Sequence, residues 1–244
     1  MQLFGCAVHY PLEVRSRFPS PKGQNQAPQN QIQKNDQKLI QIVDAALADV
    51  TRRSGKWLAC RPGCTPCCIG VFAINQLDAL RLRRGLAELE RSAPDRAARV
   101  RRRAREAVVR LSPEFPGDRA TGVLDEGDEA AQQFAGFAND EPCPALDPET
   151  GYCDLYESRP MTCRVFGPPV RAEIGPGELG GDKVAIGEAG LGVCELCFRG
   201  ATIEEVAACE LKADPDDLES ALLEELEKST GARGNTIIAF CLAR

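Results

Sequence analysis

Histidine is almost absent from this chain of 244 residues, in which His9 is the only one. A Ser–His–Asp or Cys–His arrangement therefore lacks a base, and a zinc hydrolase with several histidine ligands is excluded. The sequence also contains no Walker loop and no G-x-G-x-x-G fingerprint, so nucleotide use has no support. No catalytic residue is identified, and the sequence leaves open whether the protein is an enzyme.

The chain also lacks a basic balance and long apolar runs. Its formal net charge is −6, which argues against nucleic acid or an anionic membrane as the main partner. No apolar run reaches the roughly 18–20 residues that span a bilayer. The segment 1–10 has neither a basic start nor an extended apolar stretch, so we expect no secretory signal. These absences predict a cytoplasmic protein with no membrane partner. Its partner is unknown, and a protein partner is compatible with the sequence.

Cysteine, by contrast, is abundant, with 12 residues. In a reducing compartment, that many thiols indicate metal ligands more than disulfides. A secreted disulfide scaffold is the less favoured alternative because the chain is long and no signal is evident. Thiolates with almost no imidazole select zinc, an iron–sulfur cluster or Cu(I) over harder cations.

Ten cysteines in three groups are the candidate metal ligands. They are Cys60, Cys64, Cys67 and Cys68, then Cys143, Cys153 and Cys163, then Cys194, Cys197 and Cys209. Short spacings in the first group favour thiolates that turn onto one ion. However, a trans peptide directs the neighbours Cys67 and Cys68 apart, so they serve two centres or one of them is a packing residue. The ten fill two four-ligand sites with two left over, or one site with several buried thiols.

The remaining cysteines and the charged neighbours of the candidate ligands have simpler interpretations. Cys6 and His9 lie in a polar tail and are poor ligand candidates. Cys241 has no cysteine nearby in sequence, so we expect a buried core thiol. Arg159 and Arg164 flank Cys163; either they offset the charge of a thiolate site or they form ordinary surface pairs.

The pattern predicts a mainly α fold with long loops, in which helices pack around a cysteine-rich metal-binding core. A small irregular α+β arrangement is also compatible with it. Residues 1–35 are expected to be a disordered polar tail, and residues 36–244 a single metal-binding domain that includes a C-terminal helix.

Capping residues and apolar spacing predict where the elements lie. Helices are expected from residue 35 to about 54, from 75, from 94 to before 113, within 125–137, over 202–212 and from 214. A short strand is expected at 184–186 within a Gly- and Pro-rich loop. The many arginines of the third helix are interpreted as a solvated face.

Three separated blocks resemble one known family. They are CRPGCTPCC at 60–68, CPAL at 143–146 and GYCDLYESRPMTCRVF at 151–166, and together they resemble the YkgJ-type CxxCxxCC cysteine-cluster family. The resemblance covers roughly residues 56–170 and implies a zinc- or iron-chelating domain. It extends to Tyr156, Glu157, Arg159 and Pro160. The gap between Cys60 and Cys64 has three residues, whereas the first gap of the family's motif has two, so no fixed ligand geometry is implied. The cysteines of the 194–209 group lie outside the resemblance. Similar domains occur attached to flagellar methylating enzymes, but no cofactor-binding region supports that activity here.

Three hypotheses about function follow. The first is a metal-binding module with structural or chelated zinc, and the second is an iron–sulfur redox protein or an iron–sulfur-dependent enzyme of unknown substrate. The third is a thiol-redox sensor without metal. Spacing does not separate zinc from iron–sulfur, since both take four thiolates.

Overall fold

Helices dominate the fold, which is described from a computed structural model. The structure describes residues 26–61, 63–171, 184–186, 191–214 and 216–244. The α-helices within these residues are α1 (Gln26–Ser54), α2 (Gln76–Ser92), α3 (Pro94–Leu111), α4 (Asp128–Ala135), α5 (Met161–Val165), α6 (Ile203–Ala208), α7 (Leu218–Thr230) and α8 (Ile238–Ala243). Short 3-10 turns occupy Gly55–Trp57, Pro66–Cys68, Ser112–Glu114 and Tyr156–Ser158. The prediction of a mainly α fold is confirmed.

The strands are short and form two small antiparallel sheets. They are β1 (Gly117–Asp118), β2 (Val123–Leu124), β3 (Val170–Arg171), β4 (Val184–Ile186) and β5 (Leu191–Cys194). β1 pairs with β2, and β5 lies between β3 and β4 with Val184 opposite Cys194. The strand expected at 184–186 is confirmed. None of the described helices combines the length and the apolar character needed to cross a lipid bilayer.

Side-chain caps fix several helix starts where the sequence predicted them. The Asn75 side chain accepts a hydrogen bond from the Asp78 N–H at 2.9 Å, so α2 begins at Gln76. Thr202 and Glu205 form the expected capping box at the start of α6. The helix expected from 214 begins later, at Leu218, where the Asp214 carboxylate accepts the N–H groups of Leu218 and Glu219.

Apolar clusters hold the helices together. Helix α8 packs against α2 and α3, and its residues from Ile238 to Leu242 are all buried. The first cluster joins Cys241 and Leu242 of α8 to residues such as Leu82 and Val100. The second cluster joins α1, α2 and α7 through residues such as Leu39 and Leu226. Burial of this apolar area is the main stabilisation of the helical part.

Two predicted boundaries need correction. The tail was expected to reach residue 35, but α1 spans Gln26–Ser54 and Ile32 is fully buried in the second cluster. Contact of an apolar face with α7 therefore overrides the polar composition of residues 26–35. The helix expected over 202–212 ends at Ala208, because Leu211 leaves it to form a bridge with Val170. The earlier part of the tail, with Cys6 and His9, lies outside the described residues.

A buried ion network fastens α1, α2 and α7 to one another. Arg81 lies within 3.2 Å of carboxylate oxygens of Asp36, Asp78 and Glu219, and its side chain is 4 % exposed. Burial raises the pKa of Asp78 and of Glu219. One guanidinium therefore serves three carboxyl groups in a poorly solvated place.

Candidate metal centre

Backbone pairing brings Cys67 next to the later cysteines. The turn at Pro66–Cys68 runs beside residues 141–143, since the Cys143 N–H donates to the Cys68 carbonyl at 2.8 Å. An antiparallel bridge between Leu146 and Cys153 then brings Cys153 close to Cys143. Residues far apart in sequence are thereby placed around one point by ordinary backbone hydrogen bonds.

Four cysteines meet there and form what we call the extended thiol group: Cys67, Cys143, Cys153 and Cys163. The negative charges of Cys143, Cys67 and Cys153 each help to raise the pKa of Cys163, after the larger effect of burial. Burial likewise raises the pKa of Cys143 to about 12 and that of Cys153 above its usual value. A thiolate in such a buried place is favourable only when a cation balances its charge.

Cys163 is held by a short helix whose start is fixed from the scaffold. Pro160 precedes α5, and the N–H of Met161 donates to the Asp78 carboxylate at 2.8 Å. Arg164 is buried and binds Asp44 of α1 at 2.6 Å. Of the two arginines that flank Cys163 in sequence, Arg164 thus makes a structural pair. The charge of the other, Arg159, lowers the pKa of Cys153, although burial outweighs this effect.

Arginines of α3 fasten the same loops. Asp154, whose side chain is 2 % exposed, binds Arg96 at 2.9 Å and Arg103 at 2.7 Å. Arg103 also donates to the Pro144 carbonyl at 2.8 Å. The interpretation of these arginines as a solvated face is wrong for Arg103, which lies between α3 and the cysteine loops. No local signal in the sequence pairs them with Asp154, because the contact is set by tertiary packing.

A second set of cysteines, which we call the compact thiol group, consists of Cys60, Cys194 and Cys197. Their sulfur atoms all lie within 4.8 Å of one another, and the Cys60 and Cys197 sulfurs are 3.9 Å apart. Among the residues the structure describes, no other three Cys, His, Asp or Glu side chains converge this closely. A tetrahedral zinc ion with Zn–S bonds of about 2.3 Å separates its sulfurs by about 3.8 Å. The compact thiol group therefore has the dimensions of a single-ion site.

Two local structures bring the compact thiol group together. Cys194 ends β5, and a turn closed by the Cys197 N–H to the Cys194 carbonyl returns the chain. The N–H of Phe198 then donates to the Trp57 carbonyl at 2.8 Å, which places the turn beside Cys60. Apolar neighbours, including Phe166, cover the group. The site is thus shielded from water on one side.

Hydrogen bonds favour a thiolate at Cys197. The Cys60 thiol and the N–H groups of Ala59 and Cys60 donate to the Cys197 sulfur and lower its pKa to about 6. The same contact with Cys197, followed by burial, raises the pKa of Cys60. Burial also raises the pKa of Cys194. A metal ion that binds these sulfurs displaces the protons of the thiols it binds.

Gly167 lies against the compact thiol group and was not identified from the sequence. Its φ is +129°, and a Cβ there would lie 2.7 Å from the Cys60 sulfur. The neighbouring Phe166 carbonyl is 4.0 Å from the same sulfur. Only glycine allows this close approach of backbone to sulfur. The run Gly167-Pro168-Pro169 soon after Cys163 is the sequence signal that could have indicated it.

The remaining candidate ligands, Cys64, Cys68 and Cys209, belong to neither thiol group. The charge of Cys64 contributes to the raised pKa of Cys60, so its half-buried sulfur is a neighbour of the compact thiol group. Cys209 is buried in the same apolar cluster as Cys194 and Cys197 but does not belong to the close triple. Cys68 supplies the carbonyl that pairs with Cys143. Within the first cysteine block, Cys60 thus belongs to the compact thiol group and Cys67 to the extended thiol group, although the charge of Cys67 also acts on Cys194.

Cys241 lies apart from both groups. Its thiol donates to the Ala79 carbonyl at 3.3 Å in the α2–α3–α8 core, and burial raises its pKa to about 11. The expectation of a buried core thiol is confirmed. Within the described residues, no disulfide joins the cysteines.

Comparison with known proteins agrees with this geometry. The family model CxxCxxCC, described as "Putative zinc- or iron-chelating domain", matches residues 59–175. No curated protein and no solved structure gives a significant match to the chain. The matched range contains the whole extended thiol group and Cys60 but ends before Cys194 and Cys197. Residues 59–175 thus match the model of the CxxCxxCC family, and the chain presents a cysteine cluster suited to binding metal.

Proposed function

We propose that this protein binds two different metal groups through its thiolates: a single zinc ion at the compact thiol group and an iron–sulfur cluster at the extended thiol group. The observation that carries the proposal is the contrast in spacing. The sulfurs of Cys60, Cys194 and Cys197 lie within 4.8 Å of one another, whereas no three sulfurs of the extended thiol group do so in the described part of the chain.

The spacing distinguishes the two metals for a geometric reason. A single tetrahedral ion draws all four sulfurs to one centre. In a four-iron cluster each thiolate binds a different iron, so the sulfurs stand farther apart. The four cysteines of the extended thiol group match the ligand number of such a cluster.

The fourth ligand of the zinc ion is proposed to be Cys64. It lies near Cys60 in sequence, and its charge acts on that thiol. The alternative is Cys209, which is buried in the neighbouring apolar cluster. Replacing each by serine and measuring zinc per chain decides between them: Cys64→Ser should lose zinc, and Cys209→Ser should retain it.

A single metal-binding unit from α1 to α8 in a reducing, cytoplasmic compartment is part of the proposal. No disulfide joins the described cysteines, which is what a reducing compartment would maintain. Both thiol groups take ligands from the segment between α1 and α2, which contains Cys60 and Cys67. The extended thiol group is also tied to α2 and α3. The helices and the cysteine loops would then fold together with their metals.

The test is a crossed pair of variants of the anaerobically purified chain. Zinc, iron and acid-labile sulfide are measured per chain. Cys197→Ser should lose zinc and keep iron and sulfide, whereas Cys163→Ser should lose iron and sulfide and keep zinc. Cys241→Ser, which removes a buried thiol outside both groups, should change neither.

Other outcomes would count against the proposal in distinct ways. A wild-type chain with zinc but no iron would reduce it to a zinc-binding module. Loss of the same metal from both variants would show that one centre uses both groups. Circular dichroism on each variant checks that the helices remain folded.

A further inference from the structure

A cleft of about 970 Å³ opens beside the extended thiol group. Its walls come from four stretches: 67–76, 116–139, 162–166 and 223–235. Cavities that hold small organic molecules have volumes of roughly 300–1,000 Å³. The cleft is therefore large enough for a ligand of that kind.

The cleft reaches the sulfurs from one side. Cys67 and Cys163 line it, whereas Cys143 and Cys153 do not. The N–H of Met161, two residues before Cys163, donates to the Asp78 carboxylate, so the scaffold fixes the position of Cys163. A molecule in the cleft would lie against two of the four thiols and leave the other two covered by protein.

Apolar side chains line part of the cleft. Val71 and Phe72 follow Cys67 along one wall, and Phe134 of α4 faces the cleft from another. Asn75 and Asn139 also line it. The apolar lining would bury the apolar body of a ligand, whereas both amides are engaged within the protein, Asn75 with Asp78 and Glu219 and Asn139 with Ala135.

The charges around the cleft are mostly negative. Among the described lining residues, Asp125, Glu126, Glu224 and Glu227 are acidic and Arg233 is the one cation. Glu224 binds Lys228 at 3.1 Å. Within the described residues, the other three carboxylates form no ion pair. The cleft therefore favours a cationic ligand over a neutral or anionic one.

We propose that this cleft binds an organic cation with an apolar body, an alkyl- or arylalkylammonium ion, next to Cys67 and Cys163. The apolar body lies on Val71, Phe72 and Phe134, and the ammonium group lies near Glu126 and Glu227. Contact of the bound molecule with a metal cluster rests on the proposed function, but the binding itself does not.

The experiment uses the full metal-loaded chain and titration calorimetry. The probes are a panel of alkyl- and arylalkylammonium ions, each compared with the alcohol and the carboxylate of the same carbon skeleton. The ammonium ions should bind at least about tenfold more tightly than the matched carboxylates. Equal binding of the carboxylates, or binding by no member of the panel, would overturn the proposal.

Matched variants place the probe in the cleft. Ala131→Phe adds a ring to the face of α4 that lines the cleft and should abolish binding, whereas Gln133→Phe on the same helix lies outside the lining and should not. Glu227→Gln should weaken ammonium binding about threefold, and Glu225→Gln should leave it unchanged. Unchanged binding in Ala131→Phe would show that the probe binds elsewhere and would refute the proposal.

The two proposals fail separately. A chain with normal zinc and iron contents that binds no ammonium ion would refute the proposed ligand and leave the proposed metals standing. A chain that binds ammonium ions but contains no iron would refute the proposed cluster and leave the proposed ligand standing. A change in the visible absorption of the iron–sulfur protein on adding the probe would support its position next to the sulfurs.

Discussion

The two thiol groups differ in what holds their sulfurs. The loops of the extended thiol group are tied to helices by buried charges: Asp78 holds the start of α5, Arg164 holds its end, and Arg103 holds Asp154 and Pro144. The compact thiol group instead relies on a four-residue turn, one backbone hydrogen bond to Trp57 and a small apolar cluster. The extended thiol group is therefore positioned by the scaffold, whereas the compact thiol group depends more on its own ion.

This difference has a thermodynamic consequence. Where the protein already holds the ligands, metal binding adds little order, but where it does not, metal binding free energy becomes folding free energy. Damage to the scaffold should therefore release iron first, and damage near Gly167 should release zinc first. The following variants test that division in order of expected effect.

Arg81→Met should have the largest effect. It removes the guanidinium that pairs with Asp36, Asp78 and Glu219, and uncompensated buried carboxylates cost about 3–5 kcal/mol. Because Asp78 also holds Met161, iron retention should fall more than zinc retention. Urea unfolding gives the stability, and elemental analysis gives the metals.

The control for this variant is an exposed arginine of the same kind. Arg52 pairs with Asp49 on the surface of α1, with side chains 74 % and 46 % exposed. Arg52→Met should cost less than about 1 kcal/mol. If both variants lowered the free energy of unfolding equally, the buried network would not stabilise the scaffold.

Arg103→Met should come next, at about 2–3 kcal/mol, because Asp154 is left with only the half-exposed Arg96. The Pro144 carbonyl also loses its donor, so the loops of Cys143 and Cys153 are released together. Iron should be lost and zinc kept, as measured by metal analysis. Its neighbour Arg102 is 65 % exposed, and Arg102→Met should keep both metals. If Arg103→Met lost zinc but kept iron, the contacts of Arg103 would not position the extended thiol group, and the comparison of the two groups would be wrong.

Much of the helical part could be predicted from the sequence because its signals are local. Asn75, the Thr202–Glu205 box and Pro94 mark helix starts within a few residues of the chain. The family blocks likewise lie on contiguous stretches. Such features depend on neighbours along the chain, so spacing and residue type suffice to find them.

The division of the cysteines could not be predicted in this way. Cys60 and Cys67 are seven positions apart, yet the structure places them in different groups. The partner of Cys60 is Cys197, which is reached through the sheet of β3, β4 and β5 and the Phe198–Trp57 hydrogen bond. Pairings at this sequence separation are set by tertiary packing, which leaves no periodic trace in one sequence.

Gly167→Ala should affect the compact thiol group alone, at about 1–2 kcal/mol. The new Cβ would meet the Cys60 sulfur, and alanine is strained at a φ of +129°. Zinc affinity should fall about tenfold, as measured by competition with a chelator, while iron is retained. Gly200→Ala separates the two causes, since Gly200 has a φ of +78° but open space around its Cβ. That control should lose stability and keep its zinc affinity.

Thr202→Ala should have the smallest effect, and it tests whether Cys209 has a role. Loss of the cap should cost about 1 kcal/mol by loosening α6, which ends next to Cys209. If Cys64 is the fourth zinc ligand, a shift of α6 leaves the zinc content unchanged. Thr202→Ser keeps the hydroxyl and should restore the stability measured by urea unfolding. A drop in zinc affinity in the alanine variant, with recovery in the serine variant, would make Cys209 the ligand, because only then does the position of α6 reach the ion.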